Sequence, residues 1–290
     1  MDRTKTVEPI TAQSALNKLK RKIPYGWDLN IYRGCEHACQ YCYAMYSHKH
    51  LGDKNFFQDI CVKENIVELL EKELSADSWQ REVINIGGVT DSYQPAEQDL
   101  KLMPQILKLL IKYKTPAIIS TKSNLVLRDY DLIDELSRIT YVNIAATITT
   151  MDGAIREKVE PGSATSIQRF EVLKTFRKTN ASTGLHVMPI IPRITDNESN
   201  FTQMFEAAKT SNVHYVLPGT LYLRGSTRKH FFAFIEREFP HLTAELSTIY
   251  KTGGADKAYK TKLYEMVNRL RTKYNLSSSY MAPMKEKLPK

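Results

Sequence analysis

Three cysteines near the start of the chain, Cys35, Cys39 and Cys42, have the spacing C-x3-C-x2-C. Three thiolates so close in sequence can grip one metal centre from a single loop, and their odd number leaves a coordination position to fill. A four-iron cluster held by three cysteines has one iron without a protein ligand, and a small molecule can bind there. The spacing by itself predicts a three-thiolate metal site.

Two other interpretations of these cysteines compete with a cluster. A disulfide framework is disfavoured, because four cysteines in 290 residues are sparse. A structural zinc site needs a fourth ligand, and His37, His48 and His50 are close in sequence. Compact zinc sites usually pair their cysteines as C-x2-C or C-x4-C, so the spacing favours a cluster over zinc. We expect His37 to be a local hydrogen-bonding residue.

The elements that must position this loop are short apolar strands alternating with amphipathic helices. We predict strands over residues 27–32, 83–86, 117–120, 141–148, 185–189 and 213–217. We predict helices over residues 12–22, 64–74, 95–113, 129–137 (capped by Asp129), 166–179 and 201–210, with further helices to the end and an extended segment at 56–62. Six β/α units favour an α/β fold with a parallel sheet covered by helices.

Several segments between about residues 27 and 217 resemble the radical S-adenosylmethionine (SAM) enzymes, in particular the subfamily related to spore photoproduct lyase. They are YRGC (residues 32–35), YCYA (41–44), GGVTDSYQP (87–95), TKS (121–123) and PIIP (189–192). The resemblance implies a partial (β/α)6 TIM-like barrel over residues 27–217. Residues 1–26 would form a lead-in, and residues 218–290 a basic helical extension.

The resemblance also implies a chemistry. In that family three cysteines, here Cys35, Cys39 and Cys42, hold a 4Fe-4S cluster whose open iron binds SAM. An electron from the cluster cleaves SAM to a 5′-deoxyadenosyl radical, which abstracts hydrogen from a substrate. A reducing partner such as flavodoxin or ferredoxin is implied as well.

Ligands of such barrels bind at the carboxyl ends of the strands, so the residues that follow each strand are the candidates for the SAM pocket. In the family the segment after the second strand binds the SAM amino group; here it departs from the usual Gly-Gly-Glu. The candidate cofactor-binding residues are Tyr41, Gly87, Gly88, Thr90, Lys122, Ser123, Thr147, Thr149 and Ile191. Lys122 suits a carboxylate, the threonine hydroxyls suit ribose or carboxylate, and Ile191 offers apolar surface to adenine.

Asp91 and Tyr93 are the candidate catalytic residues. Asp91 could accept a hydrogen bond from a ribose or an ammonium group, or cap the next helix. Tyr93 could relay a hydrogen atom, or be an ordinary buried tyrosine. Glu160 and Arg169 could likewise form a structural ion pair.

One departure from the subfamily bears on the substrate. Spore photoproduct lyase returns a hydrogen atom from a cysteine near the end of its second strand, and the stretch from Gly88 to Asp91 contains no cysteine. We expect Cys61, which precedes a different element, to be a small buried hydrophobe. Repair of the spore photoproduct is therefore disfavoured.

Charge points to an anionic partner. The net charge is +9, and residues 213–290 hold 14 Lys and Arg against 6 Asp and Glu. A nucleic acid would fit this excess, as would a merely solvated basic face. A peptide or a small metabolite is the alternative substrate, and a zinc-stabilised nucleic-acid-binding protein without catalysis is the alternative to an enzyme.

The composition indicates a globular protein of the cytoplasm. Hydrophobic residues are 42% and charged residues 25% of the chain. No apolar run approaches the roughly 20 residues that span a bilayer. The first residues, Met1 to Lys5, lack the apolar segment of a secretory leader. A reducing cytoplasm would also suit an oxygen-sensitive cluster.

Overall fold

The computed structural model describes residues 5–20, 23, 25–48, 51–52 and 54–288. Its strands, in chain order, are β1 Thr6–Ile10, β2 Leu16–Lys18, β3 Trp27–Leu29, β4 Tyr32–Arg33, β5 Asp59–Lys63, β6 Ile84–Ile86, β7 Ala117–Thr121, β8 Val142–Thr147, β9 Ser182–Ile190 and β10 Tyr215–Thr220. His50 and residues 1–4, 21, 22 and 24 of the predicted lead-in lie outside the described residues.

The main sheet has seven strands in the order β10-β9-β8-β7-β6-β3-β2. The first six of these are parallel to their neighbours, and β2 pairs antiparallel to β3 at one edge. These six parallel strands are the six predicted ones, so the expected α/β fold with a partial barrel is confirmed. A smaller sheet, β1-β5-β4, lies beside it.

Helices cover the main sheet and continue beyond its last strand. They are α1 Ile66–Leu74, α2 Glu97–Leu100, α3 Leu102–Lys112, α4 Tyr130–Ile139, α5 Gly153–Val159, α6 Ser166–Phe176, α7 Glu198–Thr210, α8 Gly225–Glu238, α9 Thr243–Ile249, α10 Lys257–Lys273 and α11 Ala282–Lys287. Short 3-10 helices cover Tyr43–His48, Leu125–Asp129 and Pro240–Leu242. None of the described helices is long and apolar enough to cross a membrane.

Four local predictions were wrong. The described part of residues 12–22 holds strand β2, because Leu16 pairs with Leu29 at the sheet edge. This pairing overrides the helical propensity of the segment. The predicted strand over residues 27–32 divides into β3 and β4, which belong to different sheets. The helix predicted over residues 95–113 breaks at Lys101, whose φ is +50°. Asp129 does not cap α4 with its side chain, because Tyr93 and Arg128 donate to its carboxylate.

The two faces of the main sheet differ in character. Along β8, Ile144 and Ala146 pack in the apolar layer shared with the helices. The alternate residues Asn143, Ala145 and Thr147 point to the other side, because successive side chains of a strand face opposite ways. We call that side, which the curved sheet encloses, the inner face of the barrel. The side chains that β8 places on this face are small or polar, which leaves room for a ligand.

The C-terminal residues close the barrel at its base. The Val216 amide donates to the Ser277 carbonyl at 2.8 Å, so the chain beyond α10 runs along edge strand β10 and shields backbone groups that would otherwise be unpaired. Met284 of α11 then packs in an apolar cluster with Val83, Ile118 and Tyr141. These three residues lie at the amino ends of the central strands, opposite the cysteine loop.

His214, the residue before strand β10, predicts that the folded protein loses stability in acid. Burial, with Arg177 and Lys287 nearby, lowers the pKa of His214 from 6.5 to about 4. Between pH 6.5 and about 4, His214 is therefore protonated in the unfolded chain but neutral in the folded chain. The contribution of neutral His214 to the free energy of unfolding is complete above pH 6.5 and is lost as the pH falls to about 4. We expect His214→Asn, whose oxygen can still accept the Thr183 amide, to flatten the decline of the unfolding midpoint between pH 6.5 and 4. Urea denaturation across this range checks it, and an unchanged slope would contradict it.

Candidate functional site

The cysteine loop begins at the end of the short strand β4. Gly34 has φ +86°, and a β-carbon there would lie 2.8 Å from the Asp59 carbonyl oxygen and 3.0 Å from that of Phe56. Only glycine fits this turn. The Cys35 amide donates to Phe56 O at 2.9 Å, and the Cys42 amide donates to Cys39 O at 3.0 Å. The backbone thus fixes both ends of the loop.

The three thiols of the loop are free and protected from solvent. Cys35 and Cys39 are buried, Cys42 is half-buried, and none is in a disulfide. Burial raises the pKa of all three, that of Cys39 to about 12, and the Lys122 ammonium opposes this for Cys39 and Cys42. Apolar surroundings with one nearby cation suit thiols that become charged only on binding a metal.

A second loop, which follows α5, clamps the cysteine loop from one side. Gly162 donates its amide to His37 O at 3.1 Å, and the Gln40 amide donates to Val159 O at 2.9 Å. The His37 ring uses one nitrogen on Gly162 O at 2.8 Å and the other on Asp91 at 2.9 Å. His37 is a hydrogen-bonding residue, as predicted, but its partners are distant in sequence and not local.

Asp91 joins three elements that meet at the carboxyl end of the sheet. Besides His37, its carboxylate accepts from Thr121 Oγ1 at 2.9 Å, from the Lys122 amide at 2.7 Å and from the Tyr93 amide at 2.9 Å. Burial alone would raise the pKa of Asp91, but His37 and the two amides outweigh it and lower the pKa to about 2. An ionised carboxylate with four protein donors is a positioning group for the cysteine loop.

A buried ion pair lies on the other side of the loop. Arg169 and Glu160 are 2.7 Å apart and almost wholly buried, which confirms the ion pair considered from the sequence. Glu160 also accepts from the Tyr41 hydroxyl and from Thr149 Oγ1. Burial opposes ionisation of Glu160, but Arg169 and Lys122 prevail and lower its pKa. Tyr41 is thereby oriented one residue before Cys42.

The other candidate cofactor residues lie around the same mouth. Gly87 has φ +84°, and the Gly88 carbonyl accepts from the Tyr43 hydroxyl. The Lys122 ammonium lies 5.8 Å from the centroid of the Tyr41 ring. Ile191 packs in one apolar cluster with Cys39 and Tyr41.

The remaining candidates have protein partners of their own. Thr90 donates to Tyr32 O at 3.3 Å, and Ser123 accepts from the Leu125 amide at 3.1 Å. Thr147, on the inner face, pairs in register with His186. The candidate catalytic residue Tyr93 is fully buried and donates to Asp129 at 3.0 Å. Direct catalytic roles for Asp91 and Tyr93 stay predictions, and their contacts favour positioning.

Two positioning residues were missed from the sequence. Gln94 is fully buried; its side chain accepts from the Glu36 amide at 2.9 Å and donates to Gly34 O at 3.2 Å. Gly162 holds the cysteine loop through the hydrogen bond from its amide to His37 O. Gln94 lies in the segment of residues 87–95 that carries the family resemblance, and the signal for Gly162 was the Pro161-Gly162 pair, which is typical of a turn.

The donor set fits a cluster better than a single metal ion. Within the described ranges, no three His, Cys, Asp or Glu side chains converge as ligands of one ion, and both nitrogens of His37 are already engaged. A 4Fe-4S cluster instead binds each thiolate at a different iron, so its ligands need not converge on one point. Cys61 is buried in strand β5, as expected, and pairs in register with Arg33, two residues before Cys35.

Gly162 offers a sharp test of the clamp. A β-carbon there would lie 2.1 Å from Glu36 O and 2.8 Å from His37 Cα, both backbone atoms. We expect Gly162→Ala to displace the cysteine loop, to lower stability by about 1–3 kcal/mol and to reduce iron retention. Gly153→Ala is the control, because a β-carbon there meets nothing within 4 Å. Equal thermal midpoints and equal iron content in the two variants would refute the clamp.

A family model described as the radical SAM superfamily matches residues 29–205. The Mycobacterium tuberculosis (strain H37Rv) protein Rv2578c is 32% identical over 281 residues, which cover 95% of this chain and 83% of that protein. The Methanocaldococcus jannaschii protein MJ0683 is 30% identical over 250 residues, which cover 84% and 86%.

Solved structures with the same fold include spore photoproduct lyase complexed with dinucleoside spore photoproduct. It has a TM-score of 0.67 and 14% identity, with 92% of this chain and 79% of that chain covered. Streptococcus suis SuiB bound to S-adenosylmethionine has a TM-score of 0.56 and 12% identity, with 87% and 49% covered. At such identities the similarity shows the fold.

Proposed function

Since this chain belongs to the radical SAM superfamily, we propose that Cys35, Cys39 and Cys42 bind a 4Fe-4S cluster and that the protein cleaves SAM reductively. One observation carries the proposal: three free thiols lie in one clamped loop at the carboxyl end of the six parallel strands of the main sheet. When bound, the cluster would supply the electron that cleaves SAM to a 5′-deoxyadenosyl radical, which abstracts hydrogen from the substrate. The barrel over residues 27–217 would hold this site.

The chain's own residues would bind and orient SAM. The Lys122 ammonium, which stands over the Tyr41 ring at the mouth, would pair with the carboxylate of SAM. The backbone at Gly87 and Gly88 would accept from its amino group, since glycine lets a ligand approach closely. Thr147 and Thr149 would face the ribose, and Ile191 the adenine. Tyr41, Thr90 and Ser123 would support the pocket walls.

We propose a nucleic acid as the substrate. Two cation–ring pairs support this choice: Arg224 lies 5.0 Å from the Tyr222 ring centroid, and Arg228 lies 4.8 Å from that of Phe232. They adjoin the cysteine loop, because Thr227 donates to Cys42 O at 3.0 Å. The Tyr222 ring is exposed and the Phe232 ring is half-buried; aromatic rings can stack on bases while arginines neutralise phosphates. A peptide or a small metabolite is the competing substrate.

Salt dependence separates these substrates. Binding of a fluorescent single-stranded oligonucleotide should weaken steeply as salt rises. Arg228→Ala should reduce affinity and lower the salt slope by about one. Arg138→Ala is the control and should leave binding unchanged, because Arg138 is an exposed arginine on α4, outside the segment that carries Arg224 and Arg228. Salt-independent or absent binding would favour a peptide or a metabolite.

We further propose that flavodoxin or ferredoxin supplies the electron and that the protein works in the cytoplasm. Supporting this, the four described cysteines are all free thiols, as expected in a reducing compartment.

The deciding experiment measures iron and sulfide in anaerobically purified protein and records the electron paramagnetic resonance spectrum of the reduced form with and without SAM. About four irons per chain and a spectrum that SAM perturbs are the expected results. SAM cleavage under reduction is then assayed by the release of 5′-deoxyadenosine. Zinc in place of iron, with no cluster on reconstitution, would overturn the enzyme proposal and leave a zinc-stabilised nucleic-acid-binding protein.

A further inference from the structure

A chain of hydrogen bonds crosses the inner face of the barrel. The Tyr215 hydroxyl donates to Asn143 Oδ1 at 3.0 Å, and Asn143 Nδ2 donates to Ser182 Oγ at 2.7 Å. His186 Nε2 lies 3.1 Å from the same Tyr215 hydroxyl. The four residues come from β8, β9 and β10, so the chain spans three adjacent strands.

This chain fixes the tautomer of His186. A phenol has one proton to donate, and that of Tyr215 is used on Asn143. His186 Nε2 must therefore carry the hydrogen and donate it to the Tyr215 oxygen, which leaves Nδ1 as an acceptor. Burial, with Lys122 nearby, lowers the pKa of His186 to about 4, so the ring is neutral at pH 7.

The residues that surround His186 on the inner face are mostly small. A β-carbon on Gly184 would lie 2.0 Å from Cζ of Tyr215, so the absence of a side chain there lets the Tyr215 ring lie flat on β9. Ser120, Ala145 and Gly184 are in register on three neighbouring strands. Ser120 and Ala145 thus add small side chains to the inner face on the strands beside β9.

A second acceptor lies on the inner face of another strand, β3. Asp28 on β3 alternates with Trp27 and Leu29, which pack in the outer apolar layer, so its carboxylate lies on the inner face. Asn85 Nδ2 donates to its Oδ1 at 2.8 Å, and a carboxylate can accept several more hydrogen bonds. A β-carbon at Gly88 would lie 3.0 Å from the same oxygen, so Asp28 is next to the segment at the mouth.

We propose that the inner face of the barrel binds a substrate group rich in hydrogen-bond donors, with Nδ1 of His186 and the carboxylate of Asp28 as its two acceptors. This deepens the proposed function and rests on it, because it names the chemistry of the group presented to the radical. A group with only acceptors could pair with neither of them, and sites built to accept hydrogen bonds discriminate against such a group.

The test is a titration of the full-length protein, labelled with 15N in its histidines, before and after cluster reconstitution. The probe is methylguanidinium, a planar cation with only donors. Nuclear magnetic resonance should show His186 protonated at Nε2 and a saturable shift of its Nδ1 signal with the probe. Acetone, which only accepts, should cause no shift. His214 is an internal control, because its Nδ1 already accepts the Thr183 amide at 2.9 Å.

Asp28→Asn tests the second acceptor, since it replaces a carboxylate by a neutral amide. We expect it to weaken probe binding at least about tenfold, the effect of losing a hydrogen bond to a charged group. Asp77→Asn, at an exposed carboxylate, should bind the probe like the wild type. Protonation of His186 at Nδ1, equal binding of acetone, or full affinity in Asp28→Asn would each overturn the proposal. Iron content and SAM cleavage of the wild type report separately on the proposed function.

Discussion

Serine in place of Cys35, Cys39 or Cys42 is expected to abolish reductive SAM cleavage. Each substitution removes a soft thiolate ligand of the proposed cluster and leaves a hydroxyl, which binds iron poorly. Loss of an outer-shell partner alone typically costs about 10–100-fold in metal affinity or activity, so loss of a direct ligand should exceed about 100-fold. Iron content after anaerobic reconstitution and the rate of 5′-deoxyadenosine release are the two measurements.

Cys61→Ser is the matched control for this series. Cys61 is buried like Cys35 and Cys39, but it lies on β5, where its neighbours are Glu8 of β1 and Arg33 of β4. Its variant should retain iron and SAM cleavage even if the small sheet is destabilised. Iron loss in Cys61→Ser equal to that in Cys39→Ser would contradict the assignment of the three ligands.

Asp91→Ala is expected to have the second-largest effect, on both stability and the cluster. The substitution leaves the buried donors of His37, Thr121 and Lys122 without their common acceptor. Leaving a buried donor without its acceptor costs about 1–3 kcal/mol for each group. The cysteine loop would also lose its link to β7, so iron retention should fall by about 10–100-fold. Urea denaturation and iron titration measure the two effects.

Asp77→Ala, at an exposed site after α1, provides the comparison and should match the wild type within about 0.5 kcal/mol. Asp91→Asn separates charge from shape, because it keeps one acceptor oxygen. Wild-type stability and iron retention in Asp91→Ala would show that the carboxylate does not position the loop.

The fold was predictable where strands are apolar and buried, and less so where pairing is made at a distance. Runs of apolar residues between helices predict strands such as β7 and β8. β1 has no such pattern, since it reads Thr6–Ile10 with mostly exposed side chains and gains its partner from β5, far along the chain. The first helix was mispredicted for the same reason: Leu16 pairs across a gap with Leu29.

The candidate site was also only partly predictable from the sequence. Local spacing was enough to identify the three cysteines as a group, because one loop contains them all. The roles of Gln94, Gly162 and Asp91 arise from contacts between elements far apart in sequence, which spacing does not record. Asp28 and His186 were overlooked because a single polar residue in a strand is uninformative until the strand's inner side is known.

The apolar contact of Met284 with Val83, Ile118 and Tyr141 has a consequence for protein synthesis. A ribosome makes the chain from its amino end, so the cysteine loop emerges long before α11, which completes the base of the barrel. The nascent barrel therefore exposes apolar strand ends until α11 has left the ribosome, and such surfaces are aggregation-prone. Cluster insertion would best wait until translation has passed this last helix, so that iron is delivered to a closed barrel and not to a half-made one.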